Sequence, residues 1–172
     1  MAVKNQRFTK PRKLERTDNL EEFSCGVIEI DDWLHHRAFS SLKCGTAITY
    51  LSFSESGKLA GFYSLSSYSI ARHRVHGWLA RNTPLQIPTI LLGQLGVDQE
   101  FQSQGLGWKL LHDAVLRSLS VASYVGSRAL VVEPISESAA QFYHRFGFED
   151  LPDTGLLFYK LVPLPNRSKA EA

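Results

Sequence analysis

The feature that most limits what this chain can fold into lies between Thr89 and Val125. An apolar run, TILLGQLGVD (89–98), leads through Gln102-Ser103-Gln104-Gly105-Leu106-Gly107 into a long amphipathic stretch from Gly105 to Val125. Leu110, Leu111, Ala114, Leu119 and Ala122 recur on one side of that stretch, so the spacing predicts a helix with a core-facing stripe. Gly126 is the expected helix stop. A second unit follows. ALVVE (129–133) reads as a buried strand closed by Pro134, and Ser136 can cap a helix that presents Ala139, Phe142, Tyr143 and Phe146 on one face and ends at Gly147. Strands joined through helices require parallel pairing and an α/β architecture.

The loop between the first strand and helix has a definite chemistry. A helix start leaves N–H groups unpaired and carries about half a positive charge, which attracts phosphate. Gly105 and Gly107 allow backbone to approach an anion closely. No Lys-Ser/Thr pair follows the glycines, which excludes a nucleotide-triphosphate loop with a magnesium ligand, and no dinucleotide fingerprint is present. A pyrophosphate-bearing ligand of the coenzyme A type fits, held by Gln102, Ser103, Gln104, Gly105, Leu106, Gly107 and Trp108. Gly93 and Gly96 inside the preceding strand point to a bulge. A bulge there splays the strand from 129–133 and frees the backbone of Leu95, Gly96 and Val97 to pair with the amides of a pantetheine arm.

Upstream, TAITYLSFS (46–54) and LAGFYSLSSYSIA (59–71) form a hairpin about Glu55–Lys58, which adds an antiparallel part. Ile30, Trp33, Leu34 and Ala38 have helical spacing. Residues 72–88 read as an irregular basic loop and 155–162 as a final strand. The fold expected is a mixed α/β sheet flanked by helices, in a single domain spanning residues 1–172 with loosely held ends at 1–16 and 163–172. A length of 172 residues suits one core. No apolar run approaches the roughly 20 residues of a membrane span, and the basic N-terminus lacks a secretory apolar segment. Cys25 and Cys44 read as reduced thiols of a cytoplasmic protein, and no Cys/His spacing suggests a metal.

Charge is unevenly distributed. Lys4, Arg7, Lys10, Arg12, Lys13 and Arg16 face only Glu15 in the first sixteen residues, and no acid occurs between Ser56 and Val97. That acid-free span carries Lys58, Arg72, Arg74 and Arg81, which suggests a polyanionic partner and disfavours a cationic small substrate.

These residues resemble the GNAT acetyltransferase superfamily, whose cofactor loop Gln/Arg-x-x-Gly-x-Gly/Ala is matched by Gln102, Gly105 and Gly107. The resemblance is closer to the GNAT toxins of bacterial toxin–antitoxin modules and runs along nearly the whole chain. It includes Phe23-Ser24-Cys25-Gly26, Ile30-Asp31-Asp32-Trp33-Leu34, Gly61–Ser66, Leu91–Asp98 and Ala140–Phe148. It departs from their pattern at Gln94, where the family often has Arg, at Gly96, where it has Ala, and at Val132-Glu133-Pro134.

The resemblance implies the GNAT fold, acetyl-CoA as cosubstrate and acetyl transfer to the α-amine of an aminoacyl-tRNA, which blocks translation. It also implies a ribbon–helix–helix antitoxin and a homodimer. Tyr143 matches the family's catalytic tyrosine and would protonate the departing CoA thiolate; the Val97 N–H would polarise the thioester carbonyl. Lys58, Arg72, Arg74 and Arg81, with the N-terminal cations, are the expected tRNA-phosphate contacts. Asp98 and Glu133 at strand ends have the chemistry of bases or water-orienting groups but read rather as loop caps, and His112 and His144 read as surface residues without partners. Two other acceptors fit the same chemistry, a small-molecule amine and a protein N-terminus. A non-catalytic acyl-CoA or RNA-binding module is the alternative of a different class.

Overall fold

The computed structural model describes residues 7–162. The expectations for residues 1–6 and 163–172 lie outside them. The β-branched and aromatic runs form β2 (Ile48–Phe53) and β3 (Leu59–Ala71), paired antiparallel as a hairpin. β4 (Gln86–Val97) returns along β3, and β5 (Ala129–Val132) pairs with it in parallel. The chain completes the sheet with β6 (Glu149–Leu151) and β7 (Leu156–Lys160). With β1 (Arg12–Lys13) the sheet has, among the described residues, seven strands in the order β1-β2-β3-β4-β5-β7-β6, and among these only the β4–β5 pairing is parallel. The mixed α/β sheet expected from the sequence is the fold observed.

Three local expectations are corrected. Residues 7–16 are not a loose end: Arg12 and Lys13 pair with Leu51 and Tyr50 on β2. Arg117 adds to this hold by donating to the Pro11 carbonyl oxygen at 2.8 Å. β4 begins at Gln86 rather than Thr89 and contains Pro88. Arg72 N–H bonds Leu85 O, and the alternation that follows places Pro88 and Ser69 in a non-hydrogen-bonded pair, where a missing N–H costs β3 nothing. The long helix does not stop on Gly126. It ends at Tyr124, and Val125 is already extended.

Among the described residues four α-helices flank the sheet. α1 (Ile28–His36) and α2 (Ala38–Cys44) lie against one face, where Ile30, Leu34 and Ala38 meet Leu51 and Phe62. α3 (Leu106–Tyr124) and α4 (Glu137–Phe146) cover the other, with Leu110, Leu111, Ala114 and Tyr143 packed on Tyr63, Leu92 and Leu130. α4 begins and ends as the sequence indicates: Ser136 Oγ accepts from Ala139 N–H, and Gly147 is left-handed at φ +116°. Val75 and Leu79, in the segment joining β3 to β4, cover Ile70, Ile87, Ala129 and Val131.

Candidate functional site

A single unpaired residue in β4 shapes the site. Ser64 pairs with Gln94 and Leu65 with Leu92, so Gly93 has no opposite number on β3. The bulge absorbs one residue, and side chains on either side of it stay in phase: Ile90 and Leu92, then Leu95 and Val97, all belong to or pack against the α3 face. Parallel pairing with β5 is confined to Ile90↔Leu130 and Leu91↔Val131. Beyond those rungs the strands part.

The opening between them is a cleft of about 290 Å³. Leu92, Gly93, Gln94 and Leu95 form one wall and Val132, Glu133, Pro134, Ile135 and Ser136 the other. Phe142 and Tyr143 of α4 bound it from one face of the sheet, Val27 and Ile30 from the other. Asp98 N–H bonds Ala60 O. The antiparallel alternation then turns the N–H groups of Leu95 and Val97 away from β3, toward this opening. Gly96 lies under α1, where a Cβ would meet Ile30 Cγ2 at 3.0 Å and Phe62 Cε1 at 3.1 Å, so the family's alternative alanine would need those side chains to yield slightly.

The phosphate loop lies just past the end of β4. Ser103 (φ +62°) and Gly105 (φ +80°) are both left-handed, turning the chain into α3 with no side chain capping its N-terminus. Lys109 N–H to Gly105 O, 3.3 Å, is the first helical bond. The N–H groups of Leu106, Gly107 and Trp108 therefore precede the helical ladder and lack acceptors within it. No protein atom lies within 4 Å of where a Gly105 Cβ would be, and a Gly107 Cβ would meet Phe142 and Val97 only at ordinary contact distance, 3.7–3.8 Å. The protein itself does not forbid side chains at either position. Their absence leaves a cradle beside uncapped donors, which fits a pyrophosphate.

Gln102 is used differently from the phosphate ligand the sequence suggested. Its Nε2 donates to Cys25 O at 2.8 Å and to Val97 O at 3.0 Å, which commits both amide hydrogens to tethering the loop. Leu106 is buried in the core, so only its backbone is available to a ligand. Trp108 is half exposed and rests on Phe146, ring centroids 4.6 Å apart.

Tyr143 is 6% exposed and borders the cleft; its hydroxyl makes no hydrogen bond among the described residues. Burial pushes its phenol above the ordinary tyrosine value, so the hydroxyl keeps its proton at neutral pH. Asp98, also buried, accepts from Ser24 N–H and Glu100 N–H, both at 3.0 Å, and is the loop cap that was expected. Glu133 lines the cleft instead. His144 does have a partner, Asp150 at 2.9 Å. Among the described residues no cluster of His, Cys, Asp or Glu could hold a metal ion.

The Acetyltransferase (GNAT) domain family matches residues 47–150, a span that contains the bulged strand, the loop and α4. The chain belongs to the GNAT acetyltransferases. Its acetyl donor is acetyl-CoA, and the cradle at Gly105 and Gly107 fits that molecule's pyrophosphate. This acetyltransferase is 36% identical over 145 residues to the tRNA-acetylating toxin of Mycobacterium tuberculosis, an alignment covering 84% of this chain and 87% of the relative. In fold it is similar to a Tyr-to-Phe mutant of KacT (24% identity, TM-score 0.82, 91% of this chain and 96% of that one). It is similarly close to AtaT complexed with acetyl-methionyl-tRNAfMet (24% identity, TM-score 0.80, 90% and 95%).

The four cations read from the acetyltransferase's sequence do not form one patch. Lys58 is bound to Glu100 beside the phosphate loop. Arg72 lies at the other end of β3, a 13-residue strand and so about 40 Å away. Arg72, Arg74 and Arg81 share the segment between β3 and β4 and are exposed. Arg72 also donates to Thr83 O at 2.7 Å, so it helps fold that segment. Arg128, stacked 3.9 Å over the Trp78 ring, brings a further cation to this end, one that was not anticipated because it precedes β5 in a different part of the sequence. Val27 and Ile30 were also missed as cleft residues. The helical spacing of Ile30 signalled only a core-facing stripe, and Val27 lay outside that pattern.

Proposed function

We propose that this acetyltransferase moves the acetyl group of acetyl-CoA onto the α-amine of aminoacyl-tRNA and so stops translation, as a toxin neutralised by an antitoxin. The observation that carries the reading is the cleft between β4 and β5, with Tyr143 in its lining and uncapped helix donors just past the end of β4. The match along most of its length to a tRNA-acetylating toxin supports the acceptor, and the exposed Arg74 and Arg81 offer phosphate contacts at the far end of β3.

In this reading the backbone N–H groups of 106–108 hold the pyrophosphate, and Leu95 and Val97 N–H groups pair with the pantetheine arm and the thioester oxygen. Tyr143 gives its proton to the thiolate. An α-amine has a pKa of about 8, and alignment of the amine against the thioester supplies much of the acceleration. The antitoxin is of the ribbon–helix–helix kind, the toxin is a homodimer and it works in the cytoplasm. Exposed apolar residues near the C-terminal end of α3 (Val121, Tyr124, Val125) support a protein contact. No described helix is long and apolar enough to cross a membrane.

The test is expression without a partner of the wild type and Tyr143→Phe, with mass analysis of charged tRNA. Growth arrest with α-amine acetylation is expected for the wild type and not for the variant, whose acetyl-CoA affinity should be unchanged. A variant with wild-type turnover would remove Tyr143 from the reaction. A wild type that acetylates only small amines or protein N-termini would overturn the acceptor.

A further inference from the structure

The seam between α3 and α4 is aromatic from the cleft out to the surface. Phe142 lines the cleft beside Tyr143 and also lies 3.7 Å from where a Gly107 Cβ would be. Phe146 stands one turn further along α4, on the same side of that helix. Trp108, the residue after Gly107, rests on it with ring centroids 4.6 Å apart. Phe146 is backed in turn by Tyr159 at 6.0 Å and Phe148 at 6.3 Å, so the indole sits on packed core. Trp108 is 48% exposed, and among the described residues its indole meets no other ring, no cation and no hydrogen-bond acceptor.

We infer that Trp108, supported by Phe146, receives the adenine ring of acetyl-CoA. The inference is independent of the acceptor and rests on the cradle at the start of α3 as the pyrophosphate site. Acetyl-CoA carries its groups in a fixed order: thioester, pantetheine arm, pyrophosphate, adenosine. The seam offers surfaces in the same order. Tyr143 lies in the cleft lining, Phe142 and Gly107 bound the passage to the cradle, and the Trp108–Phe146 pair follows. A helical side chain leans towards the N-terminus of its helix, so the indole stands over the turn whose N–H groups precede the ladder. A purine that leaves the pyrophosphate on this side meets a flat, apolar and half-open surface. Stacking there removes apolar surface of both rings from water and needs no hydrogen bond to the base. Trp108 thus serves the cosubstrate twice, through its backbone N–H at the pyrophosphate and its indole at the adenine.

The test measures, by calorimetry, the binding of two ligands: acetyl-CoA and S-acetyl-4′-phosphopantetheine, which lacks the adenosine. Wild type is compared with Trp108→Ala, Trp108→Phe and Gly107→Asp. Trp108→Ala should weaken acetyl-CoA roughly tenfold or more and leave the truncated ligand within about twofold. Trp108→Phe should recover part of the affinity, because a smaller ring still stacks. Gly107→Asp, which sets a carboxylate in the cradle, should weaken both ligands by charge repulsion. Adenosine 3′,5′-bisphosphate alone should quench the tryptophan emission of the wild type but not of Trp108→Phe, whose remaining tryptophans are Trp33 and Trp78. A Trp108→Ala protein with wild-type affinity for acetyl-CoA would overturn the inference. Equal losses for both ligands would also overturn it, since Trp108 would then only support the packing of α3 on α4. A Gly107→Asp protein that keeps both affinities would put the phosphates elsewhere and remove the premise. None of these readouts involves charged tRNA, so they stand apart from any failure of the acceptor reading.

Discussion

The Gln102 side chain reaches back across the phosphate loop and donates to the carbonyl oxygen of Val97, 3.0 Å away. The same amide nitrogen holds Cys25 O at 2.8 Å. One residue thus fixes the loop to the end of β4 and to the segment leading into α1, so the site for the pyrophosphate and the strand carrying the Val97 N–H move together. Gln102→Leu removes both bonds and leaves two carbonyls without donors. At about 1 kcal/mol each in net terms, the expected result is a lowered Tm and a KM for acetyl-CoA raised roughly tenfold, with kcat much less affected. Thermal melts and steady-state kinetics check it.

Deleting Gly93 tests the bulge. The side chains before and after it are already in phase, so a strand without Gly93 keeps every neighbour on its present face and pairs regularly with β3. The expected product folds with undiminished Tm but has lost acetyl-CoA binding, measured by calorimetry, because β4 now follows β5 past Leu91. Full retention of binding would show that the cleft does not depend on the unpaired residue.

Arg74→Glu with Arg81→Glu should raise the KM for charged tRNA and leave that for acetyl-CoA alone. Each lost phosphate contact should reduce the slope of log affinity against log salt by about 1. Lys58→Glu, which breaks the pair with Glu100, should not change that slope. Arg72 is the poorer choice for this test, since its bond to Thr83 O also shapes the segment.

The chain's two thiols should differ sharply in reactivity. Cys25 is buried, and burial, with Asp31 beside it, pushes its pKa up to about 12, while Cys44 is exposed. Alkylation at pH 8 should modify Cys44 alone until the protein unfolds. The sign of the linkage follows: folded Cys25 keeps its proton where the unfolded thiol, near its ordinary value of about 8.5, gives it up. The protein should lose stability as pH rises from about 9 towards 12, and Cys25→Ser should flatten that part of the profile.

The strand–loop–helix unit, the second unit ending in Gly147 and the bulge at Gly93 were legible because each rests on local residue chemistry: periodicity, caps and a glycine inside a strand. What the sequence hid is contact between distant segments. β1 was invisible because two charged residues carry no strand signal and their pairing depends on Leu51 and Tyr50, far along the chain. Lys58 looked like a free cation because Glu100, its partner, is 42 residues away. Asp98 and Glu133 looked alike as carboxylates at strand ends; what separates them is that the turn after β4 brings Glu100 N–H to Asp98 and the segment before α1 brings Ser24 N–H. α2 was missed because, of its seven residues, only Ala38 is buried, so it presents no extended core-facing stripe.

The sheet ends at β1 on one side and β6 on the other, strands of two and three residues carrying Arg12 and Lys13 at one rim and Glu149 and Asp150 at the other. Such rims are too short and too charged to template another strand. β2, by contrast, is six residues long and mostly buried. A version of the protein trimmed to begin after Arg16, as a flexible-tail reading of its basic N-terminus would recommend, uncovers that strand's unpaired edge and exchanges a self-limiting sheet for one able to grow by aggregation.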